Sequence, residues 1–357
     1  MLKNEKYRDN AMAHEERIRT VFTMKKRLLP LLAAWTLLAS VMSGCAAKKE
    51  NIQFFAMDTV MDITAYGPAA EQALPLAERR IYELDAAISA QDERSEISRL
   101  NAGSGEPLSE TVRQLVQRAL EAARVTDGAY DPTVGALMEL WGFGTDRAAV
   151  PAASEIDNSL GRTGWQQLSL TDSGLSMPEG FCFDPGGIGK GYAAEQAKAL
   201  LKEQGVRSAI LSLGGNVSVL GAKPDGSDWV IGIQDPQDAA ANFALVRVKD
   251  AAVVTSGGYQ RYFEEGGRRY CHILDPQTGY PAESGLLSVT IVSQDDTMAD
   301  ALSTALYVMG AEKAEGFWRV SGLDFGCVIM DQQRHVFVTE DLADTITCTG
   351  GFELWTR

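Results

Sequence analysis

The chain has 357 residues, 48 acidic against 33 basic, with a formal net charge of -15 and an isoelectric point near 4.7. So acidic a protein excludes nucleic acid as a default partner, because phosphate backbones are bound by clustered Lys and Arg. Any anionic ligand must meet a local positive patch or a cation. The length allows one large or two ordinary domains with ample core.

The chain opens on a charged stretch, and Met24-Lys25-Lys26-Arg27 then begins a different pattern. An apolar run at 28–41, interrupted by Pro30, leads to Met42-Ser43-Gly44-Cys45. A basic segment, an apolar segment and small residues before a cysteine are the marks of an export signal. The stretch resembles a bacterial lipoprotein signal, with Met24 as the start of translation and Cys45 as the lipidated residue. The competing reading is a membrane-spanning anchor, which needs about 20 apolar residues. The run is shorter than that. The expectation is a leader and signal at 1–45, a polar tether at 46–51 and a folded domain at 52–357. Acyl chains on Cys45 would hold the domain on the extracytoplasmic face of the cell membrane. Cys182, Cys271, Cys327 and Cys348 show no metal-like spacing. Cys182 and Cys271 lie in apolar runs and read as buried thiols, with a disulfide between them left open.

Residues 54–66 alternate well enough for a first strand. Residues 74–88 read as a helix with Leu76, Ile81, Leu84 and Ile88 on one face. A short polar segment at 95–101 follows, and Ser109 then caps a second helix over 109–126. A turn-rich loop at 127–135 enters a short helix at 136–144, and 147–158 reads as an Ala- and Pro-rich surface linker. Further strands are expected at 208–220, broken by Gly214-Gly215, and at 230–234, 244–248, 253–259, 268–274 and 286–292. The strand at 268–274 ends in Asp275-Pro276-Gln277-Thr278-Gly279, a strong turn signal. A helix at 297–310 buries Met298, Ala301, Leu302, Ala305, Leu306 and Met309 on one side. The mixture predicts an α+β fold with largely antiparallel sheets and packed helices, not regular βαβ alternation.

The stretch Asp184-Pro185-Gly186-Gly187-Ile188-Gly189-Lys190-Gly191-Tyr192 lies at the centre. It follows an apolar, strand-like run at 180–183 and opens a helix at 192–204. Glycines allow close backbone approach to a ligand, and helix-start amides with Lys190 suit phosphate. It is not a Walker loop, because Asp184 and Gly191 stand where Gly and Ser/Thr are required. Taken alone, the motif also suits an ordinary tight turn.

Five segments in order are more specific: Met57-Asp58-Thr59; Asp131-Pro132-Thr133-Val134-Gly135 with Leu140-Trp141-Gly142-Phe143-Gly144; the central turn; Thr255-Ser256-Gly257; and His272-Ile273-Leu274-Asp275-Pro276-Gln277-Thr278-Gly279 followed by Ala299-Asp300-Ala301-Leu302-Ser303-Thr304-Ala305. Together they resemble the ApbE family of FAD:protein FMN transferases, whose architecture is related to the T-fold. The resemblance implies a Mg²⁺-dependent enzyme that moves the FMN half of FAD to a Ser or Thr hydroxyl and releases AMP. The acceptor it implies is a protein with a short Ser/Thr motif, in a respiratory or ion-pumping redox complex.

The resemblance also distributes roles. Met57, Ala129, Tyr130, Asp131, Asp184, Lys190 and Leu274 match positions that contact FAD. Gly187, Asp300, Ser303 and Thr304 match the metal site. Asp300 and Thr304 are four apart on a helix, so their oxygens face one way. His272 and Asp275 are competing candidates for the proton acceptor. Two departures stand out. Asp58 replaces a usual Gly. Gln91 occupies the place of a Tyr that stacks on adenine, a loss of about 1–3 kcal/mol of stacking. Gln91 therefore keeps open an FAD pyrophosphatase giving FMN and AMP, and a non-catalytic flavin-binding lipoprotein is the remaining alternative.

Overall fold

The computed structural model describes residues 48–171 and 174–357. The leader, Cys45 and the first residues of the expected tether lie outside them. In chain order the elements are β1 (Lys49–Ala56), β2 (Thr59–Tyr66), α1 (Ala70–Ile88), α2 (Glu96–Asn101), α3 (Glu110–Val125), α4 (Gly135–Trp141) and α5 (Ala153–Leu160). A small hairpin, β3 (Ser169–Thr171) and β4 (Gly174–Ser176), precedes α6 (Gly189–Glu203). Then come β5 (Ser208–Leu213), β6 (Asn216–Leu220), β7 (Trp229–Asp235), β8 (Asp238–Val248), β9 (Ala252–Gly257), β10 (Tyr262–Glu265), β11 (Arg268–Cys271) and β12 (Leu286–Ser293). The chain closes with α7 (Asp296–Met309), α8 (Ala311–Val320), β13 (Gly326–Asp331), β14 (Val336–Thr339), β15 (Ile346–Cys348) and β16 (Glu353–Trp355).

A nine-stranded sheet, β1-β2-β5-β6-β9-β12-β13-β14-β16, forms the middle layer. Its ladders are antiparallel except for β14 with β16. Helices α1, α3, α6 and α7 cover one face through Ile81, Leu84, Leu115, Leu201 and Leu306. The three-stranded sheet β15-β8-β7 covers part of the other through Trp229, Ile231, Phe243 and Val246. Strands caught between the layers are apolar on both sides. In β13, Cys327 and Ile329 face the helices while Val328 and Met330 face the small sheet. That double burial explains why these segments read as continuous apolar runs, not alternating ones. The expected α+β architecture is the one observed.

Several expectations change in detail. The single strand at 54–66 is a hairpin turning at Met57-Asp58, and β1 begins at Lys49, inside the stretch read as a tether. The polar segment at 95–101 carries α2, capped by the Ser95 hydroxyl accepting from the Ser98 amide at 2.9 Å. The supposed linker at 147–158 contains most of α5, whose fully buried Ile156 joins Leu137 and Trp141 in a small separate core. The run at 180–183 makes only an isolated parallel bridge, Cys182 with Val134. The strand expected over 268–274 stops at Cys271. Ser109 caps α3 as expected, accepting from the Val112 amide. Among the described residues the four cysteines are free.

Helices α6 and α7 come into close contact at Gly191. A Cβ there would lie 2.3 Å from the Asp296 carbonyl oxygen and 2.7 Å from the Asp300 Cβ. Neither neighbour is the loose end of a side chain, so Gly191→Ala must push the helices apart. Overpacking of this kind costs about 1–3 kcal/mol or more, and thermal unfolding of the variant is expected at a clearly lower temperature. An unchanged midpoint would show that the contact yields freely.

Candidate active site

One cleft of about 1250 Å³ opens where the layers meet the chain turns. It is walled by the β1–β2 tip, the end of α1, the loop before α4, the central turn, the Gly214-Gly215 turn, the end of β9 and the segment after β11. It exceeds the roughly 300–1,000 Å³ usual for a small-ligand pocket. It is lined by seven carboxylates against three cations, Arg147, Lys190 and Arg261.

The structure brings most of the sequence candidates into this one place. Met57, Gln91, Ala129, Tyr130, Asp131, Asp184, Gly187, Lys190, His272, Leu274, Asp300 and Thr304 all line the cleft. Asp275 and Ser303 do not. The Asp275 carboxylate accepts the Gln277 amide at 2.8 Å, and its main chain bonds Tyr280, Thr278 and Gly279. It builds the turn. Ser303 is fully buried, donating to the Asp300 carbonyl at 2.8 Å and lying 2.7 Å from the Ser256 hydroxyl. It supports its neighbours.

Asp300 is only 4 % exposed. Its Oδ1 accepts from the Asn216 side-chain amide at 2.9 Å and its Oδ2 from the Gly191 amide at 2.8 Å. A carboxylate has about four lone-pair directions, so roughly two remain. One turn on, the Thr304 hydroxyl lies 3.4 Å from the Ser256 hydroxyl and 3.4 Å from where a Cβ on Gly187 would stand. Such a Cβ would also lie 3.0 Å from the Tyr130 ring, so glycine keeps this approach open. The Tyr130 hydroxyl is buried without a protein partner. Burial, with smaller contributions from Asp184, Asp300 and Asp131, raises its pKa well above the ordinary phenol value. A carboxylate with unused lone pairs and a hydroxyl one turn on are donor chemistry that a hard cation takes, and the orphaned Tyr130 hydroxyl lies in the same cleft. No cluster of three or more His, Cys, Asp and Glu suited to a metal occurs among the described residues.

The central turn behaves differently from a phosphate cradle. The Gly186 amide donates to the Asp184 carboxylate at 2.7 Å, those of Ile188 and Gly189 donate to the Pro185 carbonyl, and that of Gly191 goes to Asp300. Most of its amides are therefore occupied, and attraction for an anion falls to Lys190 and the α6 dipole. Burial raises the Asp184 pKa, partly opposed by the Gly186 bond. The Asp131 side chain is likewise engaged, accepting from both the Thr133 amide and hydroxyl and from the Trp165 amide.

His272 is half-buried, its main-chain amide and Nδ1 each 3.1 Å from the Arg261 carbonyl oxygen. A carbonyl only accepts, so Nδ1 carries the proton and Nε2 is the free acceptor. Burial is the main cause that brings the imidazole pKa down to about 4, opposed by the Arg261 carbonyl and reinforced by the Arg261 and Lys190 charges. The ring is neutral across the neutral range.

Asn216, Ser256, Asp85 and Arg261 also line the cleft and were not singled out from the sequence. Asn216 follows two turn glycines and Ser256 sits in a quoted motif, but their partners on α7 are distant in sequence. Replacing Asn216 with Leu removes a bond to a buried carboxylate, a loss of about 1–3 kcal/mol. Denaturant unfolding should show that loss; a variant as stable as the parent would mean that Asp300 is satisfied without Asn216.

The model of the ApbE family matches residues 57–326. A FAD:protein FMN transferase of Treponema pallidum is 37% identical over 270 residues, covering 69% of this chain and 74% of that protein. Its counterpart in Salmonella typhimurium is 34% identical over 282 residues, covering 75% and 80%. Among solved structures, the ApbE protein of Thermotoga maritima matches with a TM-score of 0.76 at 34% identity, covering 82% of this chain and 98% of that one. With a match that spans well over half its length, this chain belongs to the ApbE family.

Proposed function

We propose that the chain transfers the FMN moiety of FAD to a Ser or Thr hydroxyl of an acceptor protein and releases AMP. The observation that carries this reading is the convergence of Asp300, Thr304, Gly187, Lys190 and a neutral His272 in one cleft. The relatives named above support it. The acceptor hydroxyl oxygen attacks the FMN-side phosphorus of the pyrophosphate, and the bond from that phosphorus to the bridging oxygen breaks. The bridging oxygen departs with AMP, and the hydroxyl proton passes to Nε2 of His272. Lys190 offers its positive charge to the phosphates. Asp300, Thr304 and the Gly187 carbonyl would hold Mg²⁺, with Ser303 behind them. When bound, the ion neutralises phosphate charge in a cleft that is otherwise acidic.

The acceptor in this reading is a redox subunit of a respiratory or ion-pumping complex bearing a short Ser/Thr motif. Lipidation at Cys45 would keep the enzyme at the extracytoplasmic face of the cell membrane, where such subunits present their domains. Gln91 is exposed at the cleft and offers no ring to a purine, which favours hydrolysis of FAD as the second reading.

Incubating the protein with FAD, Mg²⁺ and a Thr-bearing acceptor domain tests both readings. AMP release with an acceptor mass gain of one FMN is expected. AMP and free FMN with an unmodified acceptor would establish hydrolysis instead, and intact FAD would overturn both. The pH dependence follows from His272, whose folded pKa is lowered. The neutral, proton-accepting ring persists down to about pH 4 and is lost below it. The acid limb of kcat/KM is therefore expected below pH 5, and a limb near 6.5 that vanishes in His272→Gln would contradict the described environment.

A further inference from the structure

At the β1–β2 tip, Met57 (φ 49°) and Asp58 (φ 57°) both adopt the left-handed backbone. They are the only consecutive non-glycine residues to do so among the described residues, and Met57 is the only apolar one. A two-residue turn with both φ values positive closes a hairpin well when filled by Asn-Gly or Gly-Gly, and poorly with long side chains. Backbone strain of this kind persists only where the surroundings over-determine it. Met57 packs against the main core, and the polar restraint on its backbone is the amide, which donates to Asp85 Oδ2 at 3.0 Å.

Asp85 is itself in an unfavourable place. It lies in the last turn of α1, where exposed carbonyls disfavour a negative charge, and no basic residue occupies that turn. Two local preferences are thus broken at positions 28 residues apart, and a single hydrogen bond joins them. Met57, Asp58 and Asp85 all line the cleft. We propose that Asp85 is a positioning residue, clamping the hairpin tip in its left-handed form so that Met57 is presented to the flavin dinucleotide. The FAD part of this proposal rests on the transferase reading; the clamp itself does not. Asp58 adds to the demand on the clamp, since glycine at that position would relax the second half of the turn.

The test uses the full chain carrying Asp85→Ala, Asp85→Asn, or Asp85→Ala with Asp58→Gly. Hydrogen exchange of the Met57 amide is read without ligand, and KM and kcat for FAD are read separately. Asp85→Ala is expected to speed Met57 exchange and to raise KM about tenfold with kcat within about twofold, the pattern of lost binding outside the reacting centre. Asp85→Asn keeps an acceptor oxygen and should retain most of both properties, which also covers a failure of the Ala variant to fold. Adding Asp58→Gly to Asp85→Ala should recover much of the KM. Unchanged Met57 exchange in Asp85→Ala overturns the clamp. A raised KM shared by Asn and unrelieved by Asp58→Gly overturns it in favour of a direct role for the charge. Should the parent protein leave FAD untouched, the transferase reading falls while the exchange measurement still decides the clamp.

Discussion

The buried Asp300 carboxylate binds three separate parts of the chain into one site. It lies on α7, accepts the first-turn Gly191 amide of α6, and accepts the Asn216 side chain at the start of β6. A carboxylate so placed is tolerable only when its oxygens are hydrogen-bonded. Meeting that need draws α6 against α7 so closely that position 191 has no room for a Cβ. The register of both helices follows, and with it the placing of Lys190 beside the cleft and of Thr304 one turn beyond Asp300. The glycines of the central turn therefore serve helix packing as much as any ligand.

The electrostatics of the cleft continue those of the whole chain. Its carboxylates outnumber its cations, in keeping with the net charge of -15. A pyrophosphate entering such a site would be repelled unless a cation came with it, and the unused lone pairs of Asp300 are where one could sit. His272 stands apart from this acidity. Half-buried beside Lys190 and Arg261, it stays neutral, and its bond to the Arg261 carbonyl determines which nitrogen can accept a proton.

The layered core was legible in the sequence because doubly buried strands leave continuous apolar runs, as at β9 and β12. Three local features were not. Met57-Asp58 has one turn residue but no glycine or proline, so the first hairpin read as one strand. The Ala- and Pro-rich stretch before α5 concealed the single fully buried Ile156. The run at 180–183 is apolar because Phe181 and Phe183 are buried in the main core, not because it joins a ladder. Twelve of the candidates named through the family resemblance line one cleft. Asn216 and Asp85 escaped notice because their significance lies in partners 84 and 28 residues away. Spacing within a motif says nothing about contacts at that range.

The strand order of the large sheet, β1-β2-β5-β6-β9-β12-β13-β14-β16, rises without a reversal. Each strand can therefore join the edge left open by its predecessor as the chain becomes available from its N-terminus, with no finished ladder reopened to admit a latecomer. A sheet with a late central strand would have to wait for it. The cleft follows a different timetable, since its first wall comes from residues near 57 and its Asp300 anchor from beyond residue 295. Structure in this chain can accumulate strand by strand, while the cleft is complete only once α7 is in place.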